Sequence, residues 1–195
     1  MFSGVILAGG ASSRLGMDKN FVTVGGMQLI QRVVSVLKPL CDEVIISTNS
    51  PHLFEEYKLK TVKDIHPIGG ALAGIHSGLT AMSARRGMFV ACDMPFLNGR
   101  LIEYMKNQNE ADAVVPIWNG KYEPLHAVYS KNCLGAIKRS IASGIKKIIH
   151  FYDEINVKIV SEEKIKRFDA EGLCFFNINT PADLERARII AGEND

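Results

Sequence analysis

The sequence has no long apolar run of the kind that membrane proteins need. In its 195 residues, no apolar stretch approaches the ~20 positions that a helix requires to cross a bilayer. No basic residue precedes the short apolar run near Met1, as one would in a secretory signal peptide. We therefore expect no membrane partner and a cytoplasmic location.

An excess of charge of one sign is also missing. The chain has 23 lysines and arginines against 21 aspartates and glutamates, which gives a net charge of +2. Such a balance provides no general basic field to hold a polyanion, and no basic stripe with interleaved aromatic residues is present. Nucleic acid is therefore not an expected partner, whereas a small charged ligand is compatible with this composition.

Cysteine is scarce, and repeats and linkers are absent. The four cysteines stand singly at positions 41, 92, 133 and 174, a spacing that matches neither a zinc motif nor a dense disulfide framework. We predict that they are reduced thiols in the core. With no internal repeat and no linker rich in proline, glycine or serine, we predict a single domain over residues 1–195.

What the sequence does contain is an alternation of short apolar runs with amphipathic segments, which favours a parallel sheet and an α/β fold. The predicted strands cover Gly4–Ala8, Glu43–Ser47, Met88–Cys92, Ala113–Pro116 and Leu125–Tyr129, and the predicted helices cover Gln28–Lys38, Ala71–Ser83, Asn132–Ser143 and Pro181–Ala191. In the last helix Thr180 is a candidate cap and Pro181 suits the first position. The charge-rich segment Ser161–Glu171 is predicted to be solvated surface.

A glycine-rich loop follows the first strand, from Leu7 to Lys19. Its glycines permit phosphate oxygens to approach the backbone N–H groups closely, and Arg14 and Lys19 supply positive charge. The loop is neither a P-loop, since no Gly-Lys-Ser/Thr follows Gly16, nor a G-x-G-x-x-G fingerprint. The pattern predicts a triphosphate-binding loop, and the alternative is a tight strand-to-helix turn with both cations at the surface.

Asp93 is the first charged residue after the buried run Met88–Cys92. Ligands of open α/β sheets bind at the carboxyl ends of strands, and Mg²⁺ prefers one or two carboxylates together with phosphates and waters. Asp93 is therefore a candidate magnesium ligand. The alternative is that it caps the helix that follows.

A third segment, His66–Ile75, places three glycines around the start of a predicted helix. Its backbone permits close approach of a flat base, and Asp64 just before it either contacts a nucleotide or is exposed to solvent. The alternative is a turn followed by a helix that packs closely on its sheet. We interpret His126, on an apolar predicted strand, as a core residue and not as a catalytic one.

Taken together and in order, four segments resemble those of the molybdenum cofactor guanylyltransferases. These are Leu7-Ala8-Gly9-Gly10 through Asp18-Lys19, then Gly70–Ile75, Cys92-Asp93-Met94-Pro95 and Asn177-Ile178-Asn179-Thr180-Pro181. The resemblance implies a Rossmann-like nucleotidyltransferase domain, with a mostly parallel sheet and helices on both faces. It also implies that the N-terminal half binds GTP and that the C-terminal half binds the acceptor.

The implied reaction is the magnesium-dependent transfer of GMP from GTP to the terminal phosphate of molybdopterin, with release of pyrophosphate. The implied binding residues are Leu7, Ala8, Gly9, Gly10, Lys19, Asp64 and Asp93 for GTP, and Asn177 and Asn179 for the pterin. Arg14, Lys19 and Asp93 are the candidate catalytic residues, with Asp93 as the metal ligand.

The chain departs from the family pattern at two places and leaves alternatives open. Ala71 stands where relatives usually have proline, and Lys146-Lys147 stands where a basic pair, often arginine, is found. The resemblance implies GTP and not CTP, because cytidylyl relatives tend to have Leu-Ala-Ala-Gly where this chain has Leu-Ala-Gly-Gly. The alternatives are a nucleotidyltransferase of the same fold that uses another acceptor or CTP, and a non-catalytic GTP-binding accessory protein. The resemblance also leaves room for transient contacts with other molybdenum cofactor proteins.

Overall fold

The structure, a computed structural model, describes residues 1–9 and 19–193. In this part of the chain ten strands are found, of which eight form one mixed sheet and two form a separate hairpin. The strands are β1 (Ser3–Leu7), β2 (Thr23–Val24), β3 (Met27–Gln28), β4 (Glu43–Ser47), β5 (Lys60–Val62), β6 (Arg86–Ala91), β7 (Ala113–Trp118), β8 (Lys121–Tyr122), β9 (His126–Ser130) and β10 (Val157–Val160).

Six α-helices and several 3-10 helices connect these strands within the same residues. The α-helices are α1 (Leu29–Leu37), α2 (Ala71–Ala81), α3 (Gly99–Lys106), α4 (Leu134–Ala142), α5 (Glu162–Lys166) and α6 (Pro181–Ile190). The 3-10 helices cover Lys19–Phe21, Pro51–Tyr57, Lys131–Cys133, Ile148–Glu154 and Leu173–Phe175. No helix in the described ranges is long and apolar enough to pass through a membrane.

The main sheet is mostly parallel, as the sequence predicts. Its order is β10-β7-β9-β6-β1-β4-β5, with β8 paired to β7. Strands β5, β4, β1 and β6 run parallel to one another, whereas β9 is antiparallel to both β6 and β7. The chain reverses direction at Asn119 and Gly120, which form the tight turn between β7 and β8 and have φ angles of 48° and 71°.

Helices cover both faces of the sheet. Adjacent side chains of a strand point to opposite faces, so a strand that is apolar throughout needs helices on both sides to bury it. In β1, Val5 belongs to one core cluster with Leu72 and Ile75 of α2. Its neighbour Ile6 belongs to the other cluster, with Ile30 and Val33 of α1, among other residues. The predicted fold class is therefore confirmed.

The five predicted strands and four predicted helices are confirmed to within about two residues at each end. Sequence reasoning missed α3 and the two-residue strands β2, β3 and β8. It also missed β5 and β10. Both strands lie at the edges of the sheet, and their side chains are mostly half-buried or exposed, so they lack a buried apolar pattern. The charge-rich segment is largely solvated, although it contains α5 and the buried Ile165.

Helix α2 packs unusually close to the sheet at two glycines. A Cβ atom on Gly78 would lie 2.7 Å from Val5 Cγ1 and 2.9 Å from Phe89 Cε1, and one on Gly74 would lie 3.1 Å from Leu7 Cδ2. Such contacts are shorter than the ordinary separation of about 3.5–4.0 Å between carbon atoms. The helix therefore packs closely on the sheet, and the contact at Gly74 places the N-terminus of α2 beside the end of β1. Base binding by the same segment stays a prediction.

Helix α6 begins at the predicted cap. The Thr180 hydroxyl accepts a hydrogen bond from the Asp183 N–H at 3.2 Å, and the Asp183 carboxylate accepts one from the Thr180 N–H at 2.8 Å. The Asp183 carboxylate accepts hydrogen bonds from the Asn179 N–H, the Thr180 hydroxyl and the Thr180 N–H, and these bonds lower its pKa. Just before the cap, the Ile178 N–H donates to the Asp93 carbonyl at 3.0 Å. This bond brings the segment before α6 to the end of β6.

The cysteines are free thiols, as predicted from their spacing. Cys92, Cys133 and Cys174 are buried, whereas Cys41 is half-buried. Burial raises the pKa of Cys133 to about 11 and that of Cys41 to about 12. Both thiols are therefore protonated near neutral pH and are poor nucleophiles.

Candidate active site

A cavity of about 480 Å³ opens at the carboxyl ends of the parallel strands β1, β4 and β6. Its size is within the range of about 300–1,000 Å³ that is usual for small-ligand sites. The lining residues come from the ends of β1, β4 and β6, the 3-10 helix Lys19–Phe21, the loop after β5, the start of α2, the residue before β9 and the segment before α6. They are Leu7, Ala8, Gly9, Asn20, Ser47, Thr48, Asn49, Asp64, Gly69, Gly70, Ala71, Gly74, Ala91, Cys92, Asp93, Leu125, Asn177 and Asn179.

Backbone hydrogen bonds hold the three strand ends together. Beyond the last paired residues of β1, the Ala8 N–H donates to the Ser47 carbonyl at 2.9 Å, and the Cys92 N–H donates to the Leu7 carbonyl at 3.1 Å. The chain therefore leaves the sheet at one common edge. This edge is the position at which open α/β sheets bind their ligands.

The structure brings together most of the residues that the sequence singled out. Seven of them line the cavity: Leu7, Ala8, Gly9, Asp64, Asp93, Asn177 and Asn179. Gly10 and Arg14 lie outside the described residues, and so does the side chain of Lys19, whose backbone begins a 3-10 helix. The roles of all these residues in binding or catalysis stay predictions.

Asp93 is positioned by the end of β6 and is buried, with 8% of its surface exposed. It does not cap the following helix. Helix α3 begins only at Gly99, and Asn98 is its cap, with the Asn98 side chain accepting a hydrogen bond from the Leu101 N–H at 3.0 Å. The capping alternative for Asp93 is therefore wrong.

Asp64 is held at the cavity wall by Asn49, a residue that sequence reasoning missed. The Asn49 amide donates to Asp64 Oδ2 at 3.0 Å, and the Asp64 N–H donates back to Asn49 Oδ1 at 3.0 Å. The other carboxylate oxygen, Asp64 Oδ1, lies near Gly74: a Cβ atom added to Gly74 would be 3.8 Å from it. A usable signal was present, since Thr48 and Asn49 directly follow the predicted strand Glu43–Ser47.

Two glycines at the start of α2 adopt conformations that other residues rarely take. Gly69 and Gly70 have φ angles of 63° and 83°, and a Cβ atom at either would meet nothing within 4 Å. Glycine is thus required here by the backbone and not by packing. The N–H groups of the first turn of α2, which begins at Ala71, lie at the cavity, where the helix dipole favours a negatively charged ligand.

The comparison with known proteins identifies the family. Residues 4–156 match the family described as "MobA-like NTP transferase domain". The chain belongs to this family.

Individual relatives cover almost the whole chain. A Pelotomaculum thermopropionicum protein named "Probable molybdenum cofactor guanylyltransferase" is 42% identical, over 97% of this chain and 93% of its own. The "Molybdenum cofactor guanylyltransferase" of Desulfosudis oleivorans is 35% identical, over 95% and 93%. The crystal structure of molybdopterin-guanine dinucleotide biosynthesis protein A from Archaeoglobus fulgidus is 31% identical and covers 100% of both chains with a TM-score of 0.87.

The carboxylate at the cavity of this MobA-like protein suits a hard divalent ion. No group of three or more histidine, cysteine, aspartate or glutamate side chains able to hold a metal occurs in residues 1–9 and 19–193. Mg²⁺ does not need such a group, because it is usually bound by one or two carboxylates, with substrate phosphates and waters as the remaining ligands. The buried carboxylate of Asp93 at the cavity meets this requirement.

The chain departs from the family pattern at Ala71 and at Lys146-Lys147, and only Ala71 lies at the cavity. Ala71 occupies the first position of α2 and lines the cavity. Proline is preferred at such a position but is not needed for the helix to start. Lys146 and Lys147 are exposed and are not among the lining residues. Their predicted contact with the pterin stays a prediction.

The wall of the cavity near Leu125 is flanked by two titratable groups. His126 is fully buried, with its ring 5.0 Å from that of Phe175, and burial lowers its pKa to about 4. It is therefore a neutral core residue, as interpreted from the sequence. Burial raises the pKa of Glu123 to about 7, against the opposing charge of Lys121.

Proposed function

We propose that this MobA-like protein transfers GMP from GTP to the terminal phosphate of molybdopterin and releases pyrophosphate. The observation that carries the proposal is the convergence, in one cavity, of the start of the glycine-rich loop, Asp93 and the amides of Asn177 and Asn179. The names of the relatives support the choice of substrates. The cavity would contribute backbone N–H groups, a carboxylate and two amides to such a reaction.

The N-terminal half of the chain would bind the nucleotide. Backbone N–H groups from Leu7 to Gly9, with Arg14 and Lys19 further along the loop, would hold the triphosphate. The base would lie against the backbone of Gly69 and Gly70, which has no side chain to exclude it. The Asp64 carboxylate suits guanine, since its oxygens only accept hydrogen bonds and the guanine edge presents N1–H and N2–H₂ donors.

The C-terminal half would bind the acceptor. Asn177 and Asn179 reach the cavity from the turn before α6, and the bond from the Ile178 N–H to the Asp93 carbonyl fixes their distance from Asp93. Amide side chains both donate and accept hydrogen bonds, which suits a ring system with mixed polar edges such as a pterin. The acceptor phosphate would then lie close to the α-phosphate of GTP.

The chemistry requires positioning more than proton transfer. A phosphate monoester has a second pKa of about 6, so the acceptor is largely ionised at neutral pH and needs no strong general base. An oxygen of this phosphate attacks the α-phosphorus of GTP, and the bond from that phosphorus to the bridging oxygen of pyrophosphate breaks. Arg14 and Lys19 would stabilise the negative charge of the leaving pyrophosphate.

Asp93 is the residue that would hold the magnesium ion. When bound, Mg²⁺ neutralises charge on the triphosphate and on the incoming phosphate. The contribution of the protein is to keep the Asp93 carboxylate in place at the end of β6, where only 8% of its surface is exposed. An asparagine of the same shape would keep the position and lose the charge.

The first test of the proposal is nucleotide binding. We expect GTP with magnesium to raise the Tm more than ATP, CTP or UTP, and a chelator to reduce the shift, because a ligand at about 100 times its Kd stabilises a protein by about 2.7 kcal/mol. Pyrophosphate release with molybdopterin and GTP would then establish the transfer. A shift selective for CTP would contradict the choice of GTP, and GTP binding with no pyrophosphate release would favour an accessory protein.

Asp93→Asn tests the metal role. We expect kcat to fall by at least about 10²-fold, while the affinity for GTP weakens less, because the charge acts mainly on the transition state. Asp153→Asn, at an exposed position in the 3-10 helix before β10, is the matched control and should keep full activity. Near-normal turnover of Asp93→Asn with magnesium would rule out this role.

A further inference from the structure

Two histidines outside the cavity face each other between α2 and the segment before it. His66 lies in the loop after β5 and is half-buried, and His76 lies in the middle of α2 with 2% of its surface exposed. Their ring centroids are 4.7 Å apart, and the ring planes meet at 66°. The proposed transfer of GMP uses neither residue.

The nitrogen atoms of this pair lack the hydrogen bonds that buried imidazoles usually make. Across residues 1–9 and 19–193, no partner is found for Nδ1 and Nε2 of His76 or for Nε2 of His66. Buried polar side-chain atoms without a partner are exceptions in folded proteins and call for a specific cause. A ligand that accepts the nitrogen lone pairs would provide one.

The protonation state of His76 is suited to binding a metal ion. Burial lowers its pKa, and the charges of His66 and Lys138 lower it further. The ring is therefore neutral near pH 7, and one of its nitrogens carries an available lone pair. Lys138 itself is exposed on α4, where water screens its charge, so it opposes a bound cation only weakly.

The separation of the rings agrees with shared coordination of one ion. In a zinc site each imidazole nitrogen lies about 2.0–2.1 Å from the ion, which puts the ring centroid about 3.2 Å away. Two such rings at an angle of about 90–110° around the ion have centroids about 4.5–5.2 Å apart. The observed 4.7 Å lies in this interval. Rings inclined at 66° can also direct their in-plane lone pairs to one point, which stacked rings cannot.

We propose that His66 and His76 form a binding site for a first-row transition-metal ion of the Zn²⁺ type, separate from the magnesium site at Asp93. Imidazole is a preferred ligand of zinc, copper and nickel, whereas Mg²⁺ prefers oxygen. No third histidine, cysteine, aspartate or glutamate completes a site among the described residues. Water or a small anion fills the remaining positions, so we expect a modest affinity.

An ion at this position would fix one wall of the cavity. His66 follows Asp64 by two residues and precedes Gly69 by three, and all of these lie in the loop that leads into α2. Coordination by His76 ties that loop to the body of α2. Occupancy of the site would therefore restrain the segment that carries Asp64 and Gly69.

The test is metal titration of the whole protein, first freed of metal with a chelator and kept without nucleotide. We expect Zn²⁺ to bind with one equivalent by calorimetry and to raise the Tm, and Co²⁺ to give visible absorption bands of nitrogen and oxygen ligation without a thiolate charge-transfer band. His66→Ala and His76→Gln should each weaken binding at least about tenfold, since even outer-shell changes at metal sites cost 10–100-fold. His52→Ala, which changes an exposed histidine, should leave the affinity unchanged.

Two results would overturn the proposal. One is Zn²⁺ affinity that is unchanged in His66→Ala, a variant of a loop residue whose fold can be checked by circular dichroism. The other is no binding by the wild-type protein even at millimolar Zn²⁺, which would indicate a pair of imidazoles bridged by water. Because the titration contains no GTP, its outcome is independent of the proposed transfer reaction.

Discussion

Replacing Gly78 with alanine is expected to destabilise the fold, although glycine-to-alanine changes inside helices usually stabilise proteins. The usual gain is about 1 kcal/mol from helix propensity. At Gly78 the new Cβ would lie 2.7 Å from Val5 Cγ1 and 2.9 Å from Phe89 Cε1. Both partners are fully buried on the central strands β1 and β6, so neither side chain has free space to move into.

The expected magnitude follows from these two opposing effects. Overpacking of a core costs roughly 1–3 kcal/mol, and the shortfall here approaches 1 Å from an ordinary carbon contact of about 3.5–4.0 Å. This close approach puts the cost in the upper part of that range, at about 2–3 kcal/mol. After subtraction of the propensity gain of about 1 kcal/mol, we expect a net loss of about 1–2 kcal/mol. For a protein of this size such a loss lowers the Tm by about 2–8 °C.

Thermal and urea unfolding of paired variants would check this reasoning. Gly135→Ala in α4 is the control, because its Cβ would meet only the Arg139 Nη1 atom, at 3.5 Å. We expect Gly135→Ala to match or exceed the wild-type stability and Gly78→Ala to fall below it. If Gly78→Ala were as stable as the control, α2 would not pack on the sheet as closely as described.

Three further predictions concern the cavity and its frame. Burial raises the pKa of Glu123 from 4.5 to about 7, so the stability that comes from its protonated form is complete below about pH 4.5 and is lost as the pH rises through about 7. The free energy of unfolding of Glu123→Gln should therefore exceed that of the wild type by on the order of 2 kcal/mol at pH 8. The Tm values of the two proteins should converge by pH 4.5, and a constant difference in Tm across this pH range would contradict the prediction. Thr180→Ala should cost about 1 kcal/mol in urea unfolding, whereas Thr180→Ser should cost little, and equal stability of all three would refute the cap. Asp64→Asn should reduce the preference for GTP over ATP in thermal shift experiments, and an unchanged preference would place the base elsewhere.

Local patterns were sufficient to predict the elements that build the central part of the molecule. The strand Glu43–Ser47 was predicted at its observed bounds, and α1 and α6 were predicted to within one residue at each end. These segments are marked by side chains that lie next to one another along the chain: an apolar run, a 3.6-residue period, or a threonine followed by proline. The glycine-rich loop after β1 was predicted on the same basis, and most of it lies outside the described residues.

Other features depend on residues that are distant in sequence, and no local pattern predicts them. The antiparallel insertion of β9 between β6 and β7 depends on pairings such as Phe89 with Ala127 and Val114 with Val128. The pairing of Asn49 with Asp64 joins the ends of two neighbouring strands, and the facing of His66 and His76 joins a loop to a helix. Each arrangement exists only after the chain has packed.

Asp93 shows most clearly which properties follow from the sequence and which depend on packing. From the sequence alone, an aspartate at the end of an apolar run suited a metal site and a helix cap equally well. The tertiary structure excluded the cap, because α3 starts at Gly99 with Asn98 as its cap. It placed Asp93 at the cavity, where its role as a metal ligand stays a prediction. Residue type and spacing determine which chemistry a side chain can perform, whereas packing determines which groups it meets.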